Sequence, residues 1–304
     1  MDELLIKIHE KRQKLKLLLA DRNNRKVLGD WLRTELTYTS NAIEGNTLTR
    51  RETRLAIDED VTSGPKPIKD YQEAKNHSMA YGAILDAIDN NAPINERLVL
   101  EIHKRILSGL DDTGAGSYRS VRVRISGSNT ILPNPLKVPE LMKEFDRWLK
   151  TNRLNVLNKA IEAHYRLVSI HPFVDGNGRT ARLLMNCILM KDGYAPIIVR
   201  PIDRRRYLNA LEAYQTRGQS ETYNRFMLSC MSRSLSIVID LLDKDPADMS
   251  RLLTIARFAK LAKLPVSTIR HWVNVGKLKP VDYTANGYMM FSTKQLHSLN
   301  KLKV

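Results

Sequence analysis

Apolar residues recur at three- and four-residue spacing in stretch after stretch of this chain, at 4–20, 27–43, 71–89, 95–107, 138–150, 156–170, 180–191 and 219–242. Side chains three and four apart line one side of an α-helix, so each stretch presents a single face to a core. The main body is expected to be an all-α bundle. One interval breaks the rhythm. Between Gly116 and Pro135, Val121, Val123 and Ile125 alternate with polar residues, SGSN follows, and Thr130, Ile131 and Leu132 lead into prolines. Alternation around a Gly-containing turn reads as a short β-hairpin. TSGPKPIK at 62–69 reads as a loop between helices, and DKDPADMS at 243–250 as a boundary between domains.

Composition narrows the class. A chain of 304 residues can hold one large domain and a small appendage. Its 42% hydrophobic and 27% charged residues exclude fibrous and wholly disordered readings. No run approaches the roughly 18 apolar residues that span a bilayer, and MDELLIKIHEKRQ is too charged for a signal peptide. The expectation is a cytoplasmic protein with no membrane partner. Cys187 and Cys230 both sit in apolar helical patterns and read as small buried hydrophobes, with no metal-ligand spacing between them. The net charge is +16, and the stretch from Arg251 to Val304 holds ten Lys or Arg against one acid, Asp282, so nine of those charges sit in the last sixth. A polyanionic partner is expected there.

The segment IHPFVDGNGRTARLLMNCILM joins a helix ending at Ile170 to another beginning near Gly178. Gly176 and Gly178 carry no Cβ, so the backbone can turn sharply and bring its N–H groups to an anion at the positive end of the new helix. Arg179 and Arg182, three apart on that helix, are expected on one face, where they could grip a chain of phosphates. Asp175 adds a carboxylate able to share Mg²⁺ with substrate phosphates, and His171 could take a proton from an incoming hydroxyl. A GNG turn alone is merely a helix start. Base, carboxylate, nest and two arginines within twelve residues together suit in-line transfer at phosphorus.

HPFVDGNGRTAR resembles the motif of the Fic family: His, any residue, Phe, any residue, an acid, then GNGR and a second Arg. The resemblance runs from about Asn95 to Cys230. It implies a protein adenylyltransferase that moves AMP from ATP, with Mg²⁺, onto a hydroxyl of a target protein or of the chain itself. By that resemblance His171 is the base, Phe173 anchors the loop, Asp175 binds Mg²⁺, and Asn177 with the amides of Gly176 and Gly178 holds the α and β phosphates. Arg179 and Arg182 contact the β and γ phosphates. Arg124, Ile125, Ser126, Gly127, Ser128 and Asn129 form a flap that pairs with the target as an added strand. Tyr207 matches the first of two tyrosines that family members often place beside the adenine, although Leu208 follows it here. A glycine at 178 also sets the chain apart from a branch that phosphorylates its targets and has lysine at this place.

Ser40 and Glu44 lie one turn apart on a helix that stops at Gly45, in TYTSNAIEGNTLT. Their spacing resembles the inhibitory motif of many Fic proteins, whose glutamate pairs with the second arginine, here Arg182. In some relatives that glutamate also helps hydrolyse AMP from a modified target. Downstream, TIARFAKLAKLPVSTIRHWVNVGKLKP has the rhythm of two short helices, about 254–262 and 267–275 with Ser267 as N-cap, and a small wing near Gly287 to Phe291 could follow. It resembles the DNA-binding head of MerR-type regulators, through Thr268 to Arg270, Trp272 and Gly276 to Pro280. Arg257, Lys260, Lys263, Arg270 and Lys277 would contact DNA phosphates; winged helices also dock proteins. The expected organisation is a helical region 1–94 with the inhibitory helix, a Fic core 95–245 and a winged helix-turn-helix 250–304. Two other functions suit the same residues: a DNA-binding regulator whose body senses nucleotide without turnover, and transfer of another phosphate-linked group such as UMP or phosphocholine. A mere sensor has no need of His171.

Overall fold

A computed structural model describes residues 2–59, 65–243, 252–283, 289–292, 295, 296 and 299. The chain forms two compact units, Met1–Leu242 and Asp243–Val304. Residues 62–64 of the expected loop, 244–250 of the expected boundary and Gly287 of the wing lie outside the described residues.

The first unit is built from α1 (Asp2–Leu18), α2 (Arg22–Ile43), α3 (Arg50–Asp58), α4 (Ile68–Asp89), α5 (Glu96–Leu107), α6 (Val138–Thr151), α7 (Val156–Ile170), α8 (Asn177–Lys191), α9 (Arg204–Arg217) and α10 (Ser220–Leu242). Local sequence sets many of the ends. Asp21, Asn95 and Asn155 cap α2, α5 and α7 by accepting first-turn amides, and Thr49 with Glu52 closes a capping box on α3. Helices α3 and α9 are not among the stretches read from apolar spacing: RRETRLAID is dominated by charge, whereas α9 opens on three arginines before burying Tyr207, Ala210, Leu211 and Ala213. Helices from both sides of residue 94 share one core, which runs from Ile8 to Leu242.

At the centre lies α8, packed by α7 and by α2, α4 and α5. Every residue from Arg179 to Leu189 is buried. A helix enclosed on all sides favours apolar residues all round, and each polar one it carries must find partners. Asn186 does so within the fold, donating to the Ile197 carbonyl at 3.2 Å and accepting from its amide at 2.9 Å. Arg179 and Arg182 are a cost that packing does not explain.

Residues 117–134 take the outline of a hairpin without its ladder. Two extended arms meet at a turn in which Ser128 N–H donates to the Ile125 carbonyl at 3.2 Å and Gly127 has φ +73°. The arms are tied by a side chain: Arg119 donates to the carbonyls of Val121 and Pro133. The far arm binds α9 instead of its neighbour, through Asn129 N–H to Glu212 and Thr130 Oγ1 to Gln215. Pro133 and Pro135 have no N–H to give a ladder.

The second unit contains β1 (Leu252–Thr254), α11 (Ile255–Ala262), α12 (Val266–Asn274), β2 (Asp282–Tyr283) and β3 (Met289–Ser292). The strands form an antiparallel sheet in the order β1-β3-β2. Phe258 and Phe291 stack at 4.6 Å over a core with Ile269 and Leu278. Lys263, left-handed at φ +55°, ends α11, and Pro265 opens α12. Ser267 is therefore not the N-cap expected from sequence; proline with its fixed φ starts the helix two residues earlier.

Candidate active site

Helix α7 ends in a left-handed His171, φ +51°, whose amide donates to the Leu167 carbonyl at 2.9 Å. In this conformation Nδ1 lies 3.2 Å from the Val168 carbonyl. A carbonyl only accepts, so Nδ1 carries the hydrogen and Nε2 keeps its lone pair. Burial holds the imidazole below the usual histidine range and Arg119 adds to this, against the opposing pull of the Val168 carbonyl, Glu44 and Asp175. At neutral pH His171 is an uncharged base on a half-buried ring.

The loop that follows is clasped from inside. Phe173 is fully buried, and its N–H and carbonyl pair with the Asn177 side chain at 3.0 and 2.9 Å. The Asn177 amide group is thus an internal clasp, and what it can offer a ligand is its backbone N–H. Gly176 has φ +76°, and a Cβ there would meet the His103 ring at 3.2 Å, so this position admits only glycine. His103 stacks on Phe173 with centroids 3.5 Å apart, accepts the Gly116 N–H at Nδ1 and donates from Nε2 to the Asp175 carbonyl. It fixes the Asp175–Gly176 peptide from behind. Gly176 N–H is taken by Asp175 Oδ1 at 2.6 Å, while no side chain caps the first turn of α8. Its amides and the positive end of its dipole make an anion site.

The two arginines behave differently. Arg182, 6% exposed, donates from Nε to Ser40 Oγ at 3.0 Å, and from Nη2 to the Ser40 carbonyl at 2.9 Å and to Glu44 Oε1 at 2.8 Å. Burial works against its charge, but Glu44 and Tyr207 together more than offset that and hold its pKa above the ordinary arginine value. The Glu44 carboxylate lies directly over Gly178, where a Cβ would collide with Oε1. Arg179 is only 2% exposed, between Glu73 at 3.1 Å and Asp175 at 3.3 Å. The expectation that both guanidiniums project from one open face is not met, because α8 is enclosed and Arg179 turns inward to α4.

With this geometry in place the relatives are informative. The structure of a Fic domain containing signaling protein from Bacteroides thetaiotaomicron superimposes with a TM-score of 0.70 and 31% identity, over 79% of this chain and 98% of that one. The chain belongs to the Fic family. The Fic/DOC family model matches residues 93–189, and the model for MerR family regulatory protein matches 254–291. Fic-1 from C. elegans superimposes with a TM-score of 0.70 at 28% identity, over 79% of this chain and 71% of that chain. Protein adenylyltransferase Fic of Drosophila melanogaster is 36% identical over 66% of this chain and 41% of its own length. The chain thus spans about two fifths of the curated relatives it matches.

The Fic loop brings together His171, Asp175, Gly176, Asn177, Gly178, Arg179 and Arg182 as a contiguous motif must, and the fold adds Ser40 and Glu44 from α2. Arg124 to Asn129, expected as a flap, is half-buried to exposed and with its neighbouring residues lines a groove of about 570 Å³. Tyr207 is buried, with its hydroxyl 2.8 Å from His164 Nε2, so its ring packs in the Fic core. Spacing gave no warning of His103, Glu73 or Arg119. Arg119 is buried and donates from Nε to the His171 carbonyl at 2.8 Å, so one guanidinium ties both arms of the 117–134 segment to the turn at His171. In the second unit Arg257, Lys260, Lys263, Arg270 and Lys277 are all exposed.

Proposed function

We propose that the Fic core transfers AMP from ATP to a hydroxyl side chain of a target protein, and that Glu44 restrains it. The observation that carries this reading is the position of Glu44, paired with Arg182 at 2.8 Å directly over the uncapped start of α8. An anion already fills the place that the nest would give a terminal phosphate. When Glu44 leaves, Arg182 is freed to take that phosphate, while Ser40 still orients it.

In the transfer step His171 Nε2 accepts the target's hydroxyl proton as that oxygen attacks the α phosphorus. The bond from the α phosphorus to the bridging oxygen breaks, and pyrophosphate leaves. The first-turn amides of α8 hold phosphate oxygens through the charge redistribution. Asp175 fits a divalent ion. It is 62% exposed, and each oxygen accepts one hydrogen bond, leaving a second lone pair. Among the described residues no three His, Cys, Asp or Glu converge on a metal position, which suits Mg²⁺ shared between one carboxylate and the substrate. Mg²⁺ held there would neutralise phosphate charge. The groove lined by the two arms of the flap supports a target segment docking there, and the exposed basic side chains of the second unit support DNA as its partner. Among the described residues no helix is long and apolar enough to cross a membrane. Cys187 and Cys230 are buried free thiols, each pushed up to about 11 by burial.

The test is mass spectrometry of Glu44→Gly after incubation with ATP and Mg²⁺ in a lysate. A mass gain equal to AMP on a protein hydroxyl is expected, weak in the parent chain and lower by roughly 10² to 10⁴ when His171 becomes Ala. No gain, or a gain matching another phosphate-linked group, refutes AMP transfer.

A further inference from the structure

Each arginine of the Fic motif has a glutamate from another helix, but only Glu44 is announced by a motif. The other, Glu73 on α4, is buried and faces Arg179, which is buried more completely still. One Glu73 oxygen lies 3.1 Å from Arg179 Nη1, and the other accepts Asn46 Nδ2 at 2.9 Å. Asn46 belongs to the turn that ends the Glu44 helix, and its amide is bonded back to the Asn41 carbonyl. On its far side Arg179 reaches Asp175 Oδ2 at 3.3 Å. The Arg179 guanidinium is poorly satisfied: Nε and Nη1 have no well-directed hydrogen bond among the described residues. A buried guanidinium with N–H groups to spare will take a better acceptor if one is left unopposed. The exposed Asp175 carboxylate is that acceptor.

We propose that Glu73 is a positioning residue, holding Arg179 back from Asp175 so that the outward lone pairs of Asp175 stay open to a divalent cation. The idea rests on the metal assignment of Asp175 made above. With Glu73 in place the Arg179 charge is balanced from the α4 side, and its bond to Asp175 stays long and single. Without Glu73, Arg179 closes on Asp175 as a two-pronged fork, and the carboxylate is consumed by the guanidinium. Asn46 orients the Glu73 carboxylate and joins this arrangement to the turn beneath Glu44.

The experiment reads metal binding directly, with Mn²⁺ as the probe. Free Mn²⁺ is followed by electron paramagnetic resonance, using the full chain in a Glu44→Gly background with a non-hydrolysable ATP analogue. Glu73→Gln is expected to weaken Mn²⁺ binding about tenfold, as loss of a residue supporting a metal ligand does. Adding Arg179→Gln is expected to return most of that affinity, because the competitor for Asp175 is gone. Glu73→Asp keeps the charge but falls short of Arg179, and gives a smaller loss; it also serves if Glu73→Gln unfolds, which thermal melting reports. An unchanged Mn²⁺ constant in Glu73→Gln overturns the proposal, and so does a double variant worse than the single. Mn²⁺ binding is read with and without the analogue, so that any loss of nucleotide affinity in Arg179→Gln is separated from the change in metal affinity. If Mn²⁺ responds as expected while Glu44→Gly transfers no AMP, the transfer reading fails and the positioning role stands.

Discussion

Replacing His103 with leucine is expected to loosen the anion site from behind while leaving the motif intact. The imidazole is buried, stacked on Phe173 at 3.5 Å, and held in one tautomer by the Gly116 N–H at Nδ1 and the Asp175 carbonyl at Nε2, both at 3.0 Å. Leucine keeps much of the volume but neither hydrogen bond. The Gly116 amide and the Asp175 carbonyl then lose this partner, at roughly 1–3 kcal/mol each for a buried group. The ring stack removes roughly 0.5–1.5 kcal/mol more. The apolar leucine offsets part of this, leaving a loss of about 3 kcal/mol. For a chain of this size that lowers Tm by about 6–12 °C. Urea unfolding of the parent and His103→Leu gives the stability difference, and calorimetric titration of a non-hydrolysable ATP analogue into each, in the Glu44→Gly background, gives nucleotide affinity. Both are expected to fall, since the freed Asp175–Gly176 peptide lets the nest amides drift. His103→Gln, able to keep one bond, should lie between. A stability change under about 1 kcal/mol with unaltered nucleotide binding would refute the claim that His103 braces the nest.

Three further outcomes follow from the same geometry. Transfer needs His171 uncharged and its pKa is held down by burial, so kcat/KM for Glu44→Gly should be flat at neutral pH and fall only below 6.5; a midpoint at or above 6.5 contradicts the assignment. His77 and His164 are pushed down to about 3, in both cases chiefly by burial, while their unfolded value is near 6.5. The unfolded chain therefore binds more protons in that window, and stability, complete above pH 6.5, drops as pH falls towards 3. The two together give about 3 kcal/mol per pH unit; urea midpoints that stay level between pH 6.5 and 5 would show that these rings titrate normally. If Arg257, Lys260, Lys263, Arg270 and Lys277 all meet duplex phosphates, log K against log salt should have a slope of about −4.5, made shallower by about one for Arg270→Ala. No binding at low salt removes DNA as the partner.

Much of the site was readable because its motif is contiguous. Between His171 and Arg182 the spacing alone brings base, carboxylate and glycines to one turn, and the helix rhythm on either side anchors them. Glu44 was readable only through the resemblance of its segment to the family's inhibitory motif, since a glutamate at a helix end says nothing by itself. The flap was legible only in outline: alternation marked its arms, but their partners proved to be Arg119 and α9, not each other. Helix α3 escaped because charge fills positions where apolar spacing would have shown, and α9 because three arginines precede its short buried face.

By itself the sequence determined the composition of the loop, the glycine positions that shape it, and the helical class of the body, since these depend on neighbours within a few residues. Tertiary structure alone decided the state of the charges. Arg182 meets Glu44 across 138 residues, and His103 meets the Asp175 carbonyl across 72; Arg179 turns inward to Glu73 because α8 is enclosed by four other helices. No spacing encodes those encounters. Burial fixes them: a guanidinium removed from water must find acceptors, and which ones it finds depends on how the chain packs.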